Sequence, residues 1–494
     1  MKLKSTIYFH IFVLTLLSSI FVFSACDNDS FSTNPAYKLR FSTDTVSFDT
    51  VFTTIGSATN IMKIYNPNKE GLKITYVGLE RGISSPFRIN VDGSSSASNQ
   101  FADVEIDAKD SLFVFITVNI DPNNASSPLI EADDIKFITN GNEQKVRLEA
   151  YGQDVEILRK HIVYNDSTLS ADKPYLIYDS LKINSNSTLT IPAGCQLYFY
   201  NKAKMVVYGT LKAMGTREQP IIMRGHRRDN VQLTPPIPYN YIAGQWNGIY
   251  LYGKNSEHIF NFVTINGGDV GIHIQEKDES SSTRPKLEIT NSRIHNFTYY
   301  GLIIQNADIT VVNTEISNAG THCVYLNGGK HSFIHCTIAN YFGGSYQPVF
   351  RQNEPTVMIM DLNRISPMET VFLNSVVMGN RKAEFSLKTE YPELYQGIFS
   401  HSYFRSDTII TTPQFSNMKW HAQNDTVFRQ THYDRKMQTY FNFTPDSVSP
   451  LRDMASPTVI TQYSQYNLEF DLHGNSRIID GKPDAGAYEW KENP

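Results

Sequence analysis

Three hexapeptides, NSRIHN (291–296), NTEISN (313–318) and HCTIAN (335–340), begin 22 residues apart. Their alignment places Ile294, Ile316 and Ile338 in one column and Asn296, Asn318 and Asn340 in a second. Asn291, Asn313 and His335 form a third. A 22-residue period is too short for most helical repeats, and no leucine-rich consensus accompanies it. It suits one coil of a parallel β-helix, made of three short strands and three turns. Coils stack at the inter-strand spacing of about 4.8 Å. The isoleucines are therefore expected to point inward as core. The asparagines Asn291, Asn313, Asn296, Asn318 and Asn340 are expected to form a structural ladder, because Asn tolerates left-handed turns and its amides can bond to one another up a stack.

The repeat extends in both directions. FVTINGG (262–268) precedes it by 29 residues, with the surplus in the polar run EKDESSSTRPK (276–286); NSVVMGN (374–380) follows by 39, with the surplus between Gly343 and Thr370. A second strand recurs as GIHI (271–274), GLII (301–304) and CVYL (323–326). Insertions on a solenoid often mark its working face. Beyond the asparagine column lie FTYY (297–300), AGTH (319–322) and YFGG (341–344), which would line Tyr299, Tyr300, His322, Tyr341 and Phe342 along one edge. Stacked aromatic rings suit the faces of sugars, and equally suit packing beneath the insertions. The loop RGHRRD (224–229) gathers Arg224, Arg227 and Arg228, which either meet an anionic glycan or phosphate or stay solvated.

Upstream, LTIPAGCQLYFYNKAKMVVYGTLKAMGTREQPIIM (189–223) resembles the opening coils of secreted right-handed, pectate-lyase-like β-helix proteins. DLHGNSRIIDGKPDAGAYEW (471–490), after SVSPLRD (447–453), resembles the closing segment of the choice-of-anchor Q type. The resemblance implies a right-handed parallel β-helix closed by its C-terminus. Asp471, Arg477, Asp484 and Glu489 then read as ion pairs tying the last coil shut, since structural networks also cluster charge.

At 494 residues the chain exceeds one ordinary core. From Tyr37 to Leu158 short apolar strands alternate with turn clusters, as in LKITYVGL (72–79) and SLFVFITVNI (111–120), and no helical period appears. That pattern argues a β-sandwich. It resembles the immunoglobulin-like modules of bacterial surface proteins and the ASH/MSP-like group, which act as spacers or docking surfaces.

Lys2 and Lys4 precede an apolar run from Ile7 to Phe23 that ends in Ser24-Ala25-Cys26, the signature of a secretory signal. Cys after Ser-Ala resembles the lipobox of bacterial lipoproteins, which implies cleavage before Cys26 and acylation of its thiol. Buried acyl chains add about 0.8 kcal/mol per CH₂, enough to hold a protein on a bilayer. The expected organisation is a signal peptide (1–25), a polar tether (26–36), an Ig-like sandwich (37–158), a right-handed parallel β-helix (159–410) and final coils with closure (411–494). The expected location is the cell envelope, most simply the outer membrane.

The net charge of −5 advertises no nucleic-acid surface. Beyond Cys26 the cysteines Cys195, Cys323 and Cys336 form no metal or redox spacing and read as small buried hydrophobes. No cofactor or metal is expected. An inverting glycosidase needs carboxylates roughly 6.5–9.5 Å apart, hence on one face of neighbouring coils, yet Glu288, Asp308 and Glu315 share no column. No G-x-S-x-G, H-E-x-x-H or P-loop is present. The leading expectation is non-catalytic binding of polysaccharide or an envelope protein. The alternatives are a polysaccharide lyase or hydrolase with an unrecognised site, and a structural spacer or adhesin.

Overall fold

The computed structural model describes residues 31–122, 129–231, 236–277, 283–343, 350–362, 366–434 and 440–492. The signal segment and Cys26 lie outside the described residues. The chain divides into two compact units at Gln153/Asp154, ahead of the boundary expected at 158. Among the described residues no helix is long and apolar enough to cross a membrane.

The first unit is a two-sheet sandwich. One sheet orders the strands Arg40–Phe41, Asn60–Tyr65, Ser111–Val118, Phe87–Val91 and Ser94–Ser95; the other is built around Leu72–Leu79, Leu129–Thr139 and Asn142–Gln153. The period of two in SLFVFITV turns Leu112, Val114, Ile116 and Val118 inward, where they meet Ile135, Phe137, Val146 and Leu148 from the other sheet.

The second unit is a parallel β-helix, as the 22-residue period dictates. Each regular coil has a first strand bearing the aligned isoleucine, a second strand reached through a single left-handed residue, and a third strand before the next coil begins. In one coil these are Arg293–Phe297, Tyr300–Gln305 and Asp308–Val312. Ile265, Ile294, Ile316, Ile338 and Val377 pair in one unbroken column, and Ile272, Leu302 and Val324 in another. All are buried. On the third strand the inward column becomes a stack of phenyl rings. Phe333, Phe372, Phe399 and Phe415 succeed one another at centroid distances of 4.6, 5.6 and 4.3 Å with planes within 20° of parallel.

The asparagine columns behave differently from each other. Asn291, Asn313 and Asn374 stand at positive φ, as does His335 in the same column. Asn313 donates to Asn291 Oδ1 at 2.8 Å and Asn291 to Asn261 Oδ1 at 3.0 Å, a true amide ladder. The expected second ladder is corrected. Asn318 Oδ1 accepts the Tyr341 N–H, and Asn340 bonds the backbone of Ala319 through both ends of its amide. Asn296 and Asn318 have positive φ but serve the turns between first and second strands, where the open groups are main-chain N–H and C=O. A further column is made of small hydroxyl side chains. Ser292, Thr314, Ser375 and Ser402 each donate a hydroxyl to the carbonyl two residues back, and Cys336 occupies the same column. Their Oγ atoms accept N–H groups from the preceding coil, as Ser375 Oγ does from Cys336 at 3.1 Å.

After the last coil strands, Phe415–Ser416 and Lys419–Trp420, the chain leaves the solenoid. It folds back along the side of earlier coils. Phe428, Phe443, Leu451, Ala487 and Tyr488 pack on Ala339, Val376 and Met378 from the first strands.

Candidate functional site

The outer face of the second strands carries the aromatic stripe, with a membership different from the one expected. Outward positions there alternate with the buried Ile272, Leu302 and Val324, so Tyr250, His273, Ile303 and Tyr325 share a column. Tyr252 lies 6.1 Å from both Tyr250 and His273, and Tyr208 lies 5.9 Å from Tyr252. Two and three coils on from Tyr250, Tyr300, His322 and Tyr325 form a second group at 5.8–6.3 Å. Tyr299 and Tyr208 are 48% and 40% exposed, and Tyr250, Tyr252, Tyr300 and Tyr325 are half-buried, so their rings present faces or edges to solvent. Burial raises the phenol pKa of Tyr250, Tyr252 and Tyr325, which keeps these rings uncharged. Burial lowers that of His273, whose Nε2 meets Gln305 Oε1 at 2.9 Å.

Of the residues the sequence singled out, Tyr299 and Tyr300 belong to this face. His322 is in register with Tyr300 but is 5% exposed, and its Nδ1 donates to the Pro355 carbonyl at 2.7 Å. It anchors the second insertion and offers only a ring edge. Tyr341 and Phe342 are not on the stripe. The chain leaves the coil after Thr337–Asn340 and re-enters at Val357–Asp361, so the equivalents of Tyr299 and Tyr300 are displaced into an insertion. Tyr341 instead packs on Phe428 and Phe443 at 6.2 and 6.0 Å, and Phe342 is fully buried.

The arginine loop makes local contacts. Arg227 is paired with Asp229 and lies over the Tyr239 ring at 4.1 Å, Arg228 lies over Tyr198 at 5.6 Å, and Arg224 donates to the Arg227 carbonyl at 2.6 Å. Arg227 thus has a carboxylate partner within the loop, while Arg224 and Arg228 make carbonyl and ring contacts. Cys195, Cys323 and Cys336 are buried free thiols. Burial pushes Cys195 up to about 11 and Cys336 to about 12, so neither is a nucleophile near neutrality.

The charged residues of the closing segment form a buried clasp. Arg477 donates to Glu489 at 2.7 Å and to Asn313 Oδ1 at 2.8 Å; Asp471 accepts the Glu489 N–H at 2.8 Å, and Asp484 accepts those of Asp453 and Trp490. Burial lifts the Glu489 carboxyl to about 7, against the pull of Arg477. Every one of these groups is spent on closure. The clasp grips the middle coils at Asn313 rather than the last coil.

No protein-family model matches the sequence, and no curated protein matches it. Solved structures with a partial likeness include a family 123 glycoside hydrolase from Clostridium perfringens, at 12% identity and a TM-score of 0.17. That match covers 24% of this chain and 26% of the hydrolase. Another is the VesB protease of Vibrio cholerae, at 13% identity and a TM-score of 0.16, covering 23% of this chain and 31% of the protease. The chain thus spans under a third of each. At these scores neither likeness bears on fold or activity.

Among the described residues no group of three or more His, Cys, Asp or Glu side chains is placed to hold a metal ion. Outward carboxylates do recur on the third strands, where the column reads Glu257, Lys286, Asp308, Lys330, Glu369. Lysines alternate with the acids there, with Lys286–Glu257 at 2.8 Å and Lys330–Glu369 at 2.7 Å. This is a solvated charge ladder in which each acid already has a cation.

Proposed function

We propose that this chain is a lipid-anchored envelope protein whose β-helix binds polysaccharide on the outer face of its second strands. The observation that supports this reading is the tyrosine face itself: uncharged, half-exposed rings on successive coils, running with the solenoid axis. A glycan chain lying along it meets a ring at each group, and the apolar C–H faces of sugars pack on such rings while their hydroxyls stay wet. Acylation at Cys26 would hold the solenoid close to the envelope polymers.

The binding reading is tested on a glycan array with the full chain, paired with a reducing-end and unsaturated-product assay on each ligand found. Tyr300→Ala with Tyr325→Ala is expected to weaken binding about ten-fold or more, the aromatic contribution being about 0.5–1.5 kcal/mol per ring beyond area, with the melting temperature unchanged. New reducing ends or unsaturated products would replace the binding reading with a lyase or hydrolase. Undiminished binding in the double variant would remove the tyrosine face from it. The anchor has its own check. Cys26→Ala is expected to abolish incorporation of a palmitate analogue in cells; labelling equal to wild type would end the lipoprotein assignment.

A further inference from the structure

The outer face of the first strands changes character along the solenoid. One outward column reads Thr264, Arg293, Glu315, Thr337, Val376; its neighbour reads Asn266, His295, Ser317, Ala339, Met378. The apolar end lies beneath the C-terminal segment. The polar end is left open as a cleft of about 560 Å³, within the range of about 300–1,000 Å³ typical of small-ligand sites. Its floor is Arg293, His295, Glu315 and Ser317, and its walls come from outside the coils.

Those walls are aromatic. Tyr241 and Tyr440 stack at 3.5 Å with planes 5° apart, joining the 226–247 insertion to the C-terminal segment at the rim. Tyr488 and His473 stack at 4.6 Å, and the Tyr488 hydroxyl donates to Glu315 Oε2. Ser317 donates to Glu315 Oε1 at 2.6 Å. The Glu315 carboxylate is therefore fixed in place, with Arg293 in register on the adjacent coil. His295 is held neutral, its pKa lowered to about 4 by burial and by the Arg293 and Arg224 charges. Next to it in the column, Asn266 is 4% exposed and its Oδ1 has no hydrogen-bond partner among the described residues.

We infer that this cleft is a second binding site, for a neutral, hydroxyl-rich ligand of oligosaccharide class. A guanidinium, a carboxylate, a hydroxyl and a neutral imidazole on one floor alternate donors with acceptors, as vicinal hydroxyls require. Tyrosine rings at the sides suit the apolar faces of pyranose rings. Glu315 beside Arg293 cancels the local charge, so a uronate carboxylate gains nothing there. Glu315 is the one carboxylate on the floor, and the site binds without the paired acids that hydrolysis needs. The inference stands independently of the tyrosine face on the second strands.

The test is isothermal calorimetry on the full chain in a non-glycosidic detergent, with maltohexaose, cellohexaose, xylohexaose and hexagalacturonate as probes. A neutral hexasaccharide is expected to bind, and hexagalacturonate to bind more weakly. Arg293→Ala and Tyr440→Ala should each weaken that event, the former by about ten- to a hundred-fold, as for loss of a charged hydrogen-bond donor. Tyr300→Ala/Tyr325→Ala should leave it intact. Tyr440 lies outside the clasp, so it decides the matter if Arg293→Ala lowers the melting temperature. Unchanged binding in Tyr440→Ala and Arg293→Ala, tighter binding of hexagalacturonate than of every neutral probe, or no heat with any probe at millimolar concentration would overturn the inference.

Discussion

Replacing Arg477 with methionine is expected to destabilise the solenoid unit by about 3–5 kcal/mol, the cost of breaking a buried ion pair from one side. Arg477 is fully buried, and its guanidinium joins the closing segment to itself through Glu489 and to the coils through Asn313. Methionine fills most of the volume but leaves the Glu489 carboxyl buried among other acids. The loss should depend on pH. Glu489 in the fold is already raised from 4.5 to about 7, so the fold tolerates its protonated form best. A raised folded pKa contributes stability that is complete below the unfolded value and is lost as pH rises through the folded one. Without Arg477 the folded value rises further. The gap between variant and wild type should therefore be small near pH 4.5 and widen through pH 7 and above. Chemical denaturation at pH 5 and pH 8, with limited proteolysis of residues 440–492, checks this. A gap that is constant across pH would mean that Glu489 is solvated.

Asn313→Ala should be the most damaging change in the asparagine columns. Asn313 donates to Asn291 Oδ1 and to the Phe470 carbonyl, and accepts from Arg477. Its removal strands an amide oxygen, a carbonyl and one arm of a buried guanidinium, each at about 1–3 kcal/mol before relaxation. Asn318→Ala forfeits a bond to one backbone N–H and should cost about 1 kcal/mol. Asn424→Ala, at an exposed position outside the coils, should be near neutral. The order Asn313, Asn318, Asn424 in denaturation midpoints is the expected result. Equal effects for the first two would mean that the ladder of side chains carries no more than the turn bonds.

The sites were legible to different depths. Tyr299 and Tyr300 were found because they follow a coil isoleucine at a fixed offset. Tyr250, Tyr252 and Tyr325 carry no offset from a coil isoleucine, but they alternate with Ile249, Leu251, Val324 and Leu326, a period-2 signal present in the sequence. Tyr341 and Phe342 were misplaced because an insertion between first and second strands cancels the offset rule beyond Asn340. The cleft was invisible for another reason. Glu315 shares no column with another acid, and Tyr440 and Tyr488, which flank it in the cleft, lie 125 and 173 residues further along the chain. The arginine loop showed the converse: a run of like charges whose partners, Asp229, Tyr239 and Tyr198, are local or on nearby strands.

The sequence alone determined the solenoid, its strand register and its inward columns. A repeat spaced to one coil leaves a stacked strand as the arrangement in which every isoleucine is buried and every peptide group is bonded. It also marked Asp471, Arg477, Asp484 and Glu489 as the charged residues of closure, without saying which pairs with which. Tertiary structure decided which outward face stays open. That choice depends on where a non-repetitive tail, held by long-range bonds, lies down on coils whose exteriors look alike, and no local period encodes it. The tail covers the alanine, valine and methionine of the later coils, where burial is favourable, and over Arg293, Glu315 and His295 its Tyr440, His473 and Tyr488 stand as walls with the cleft between them.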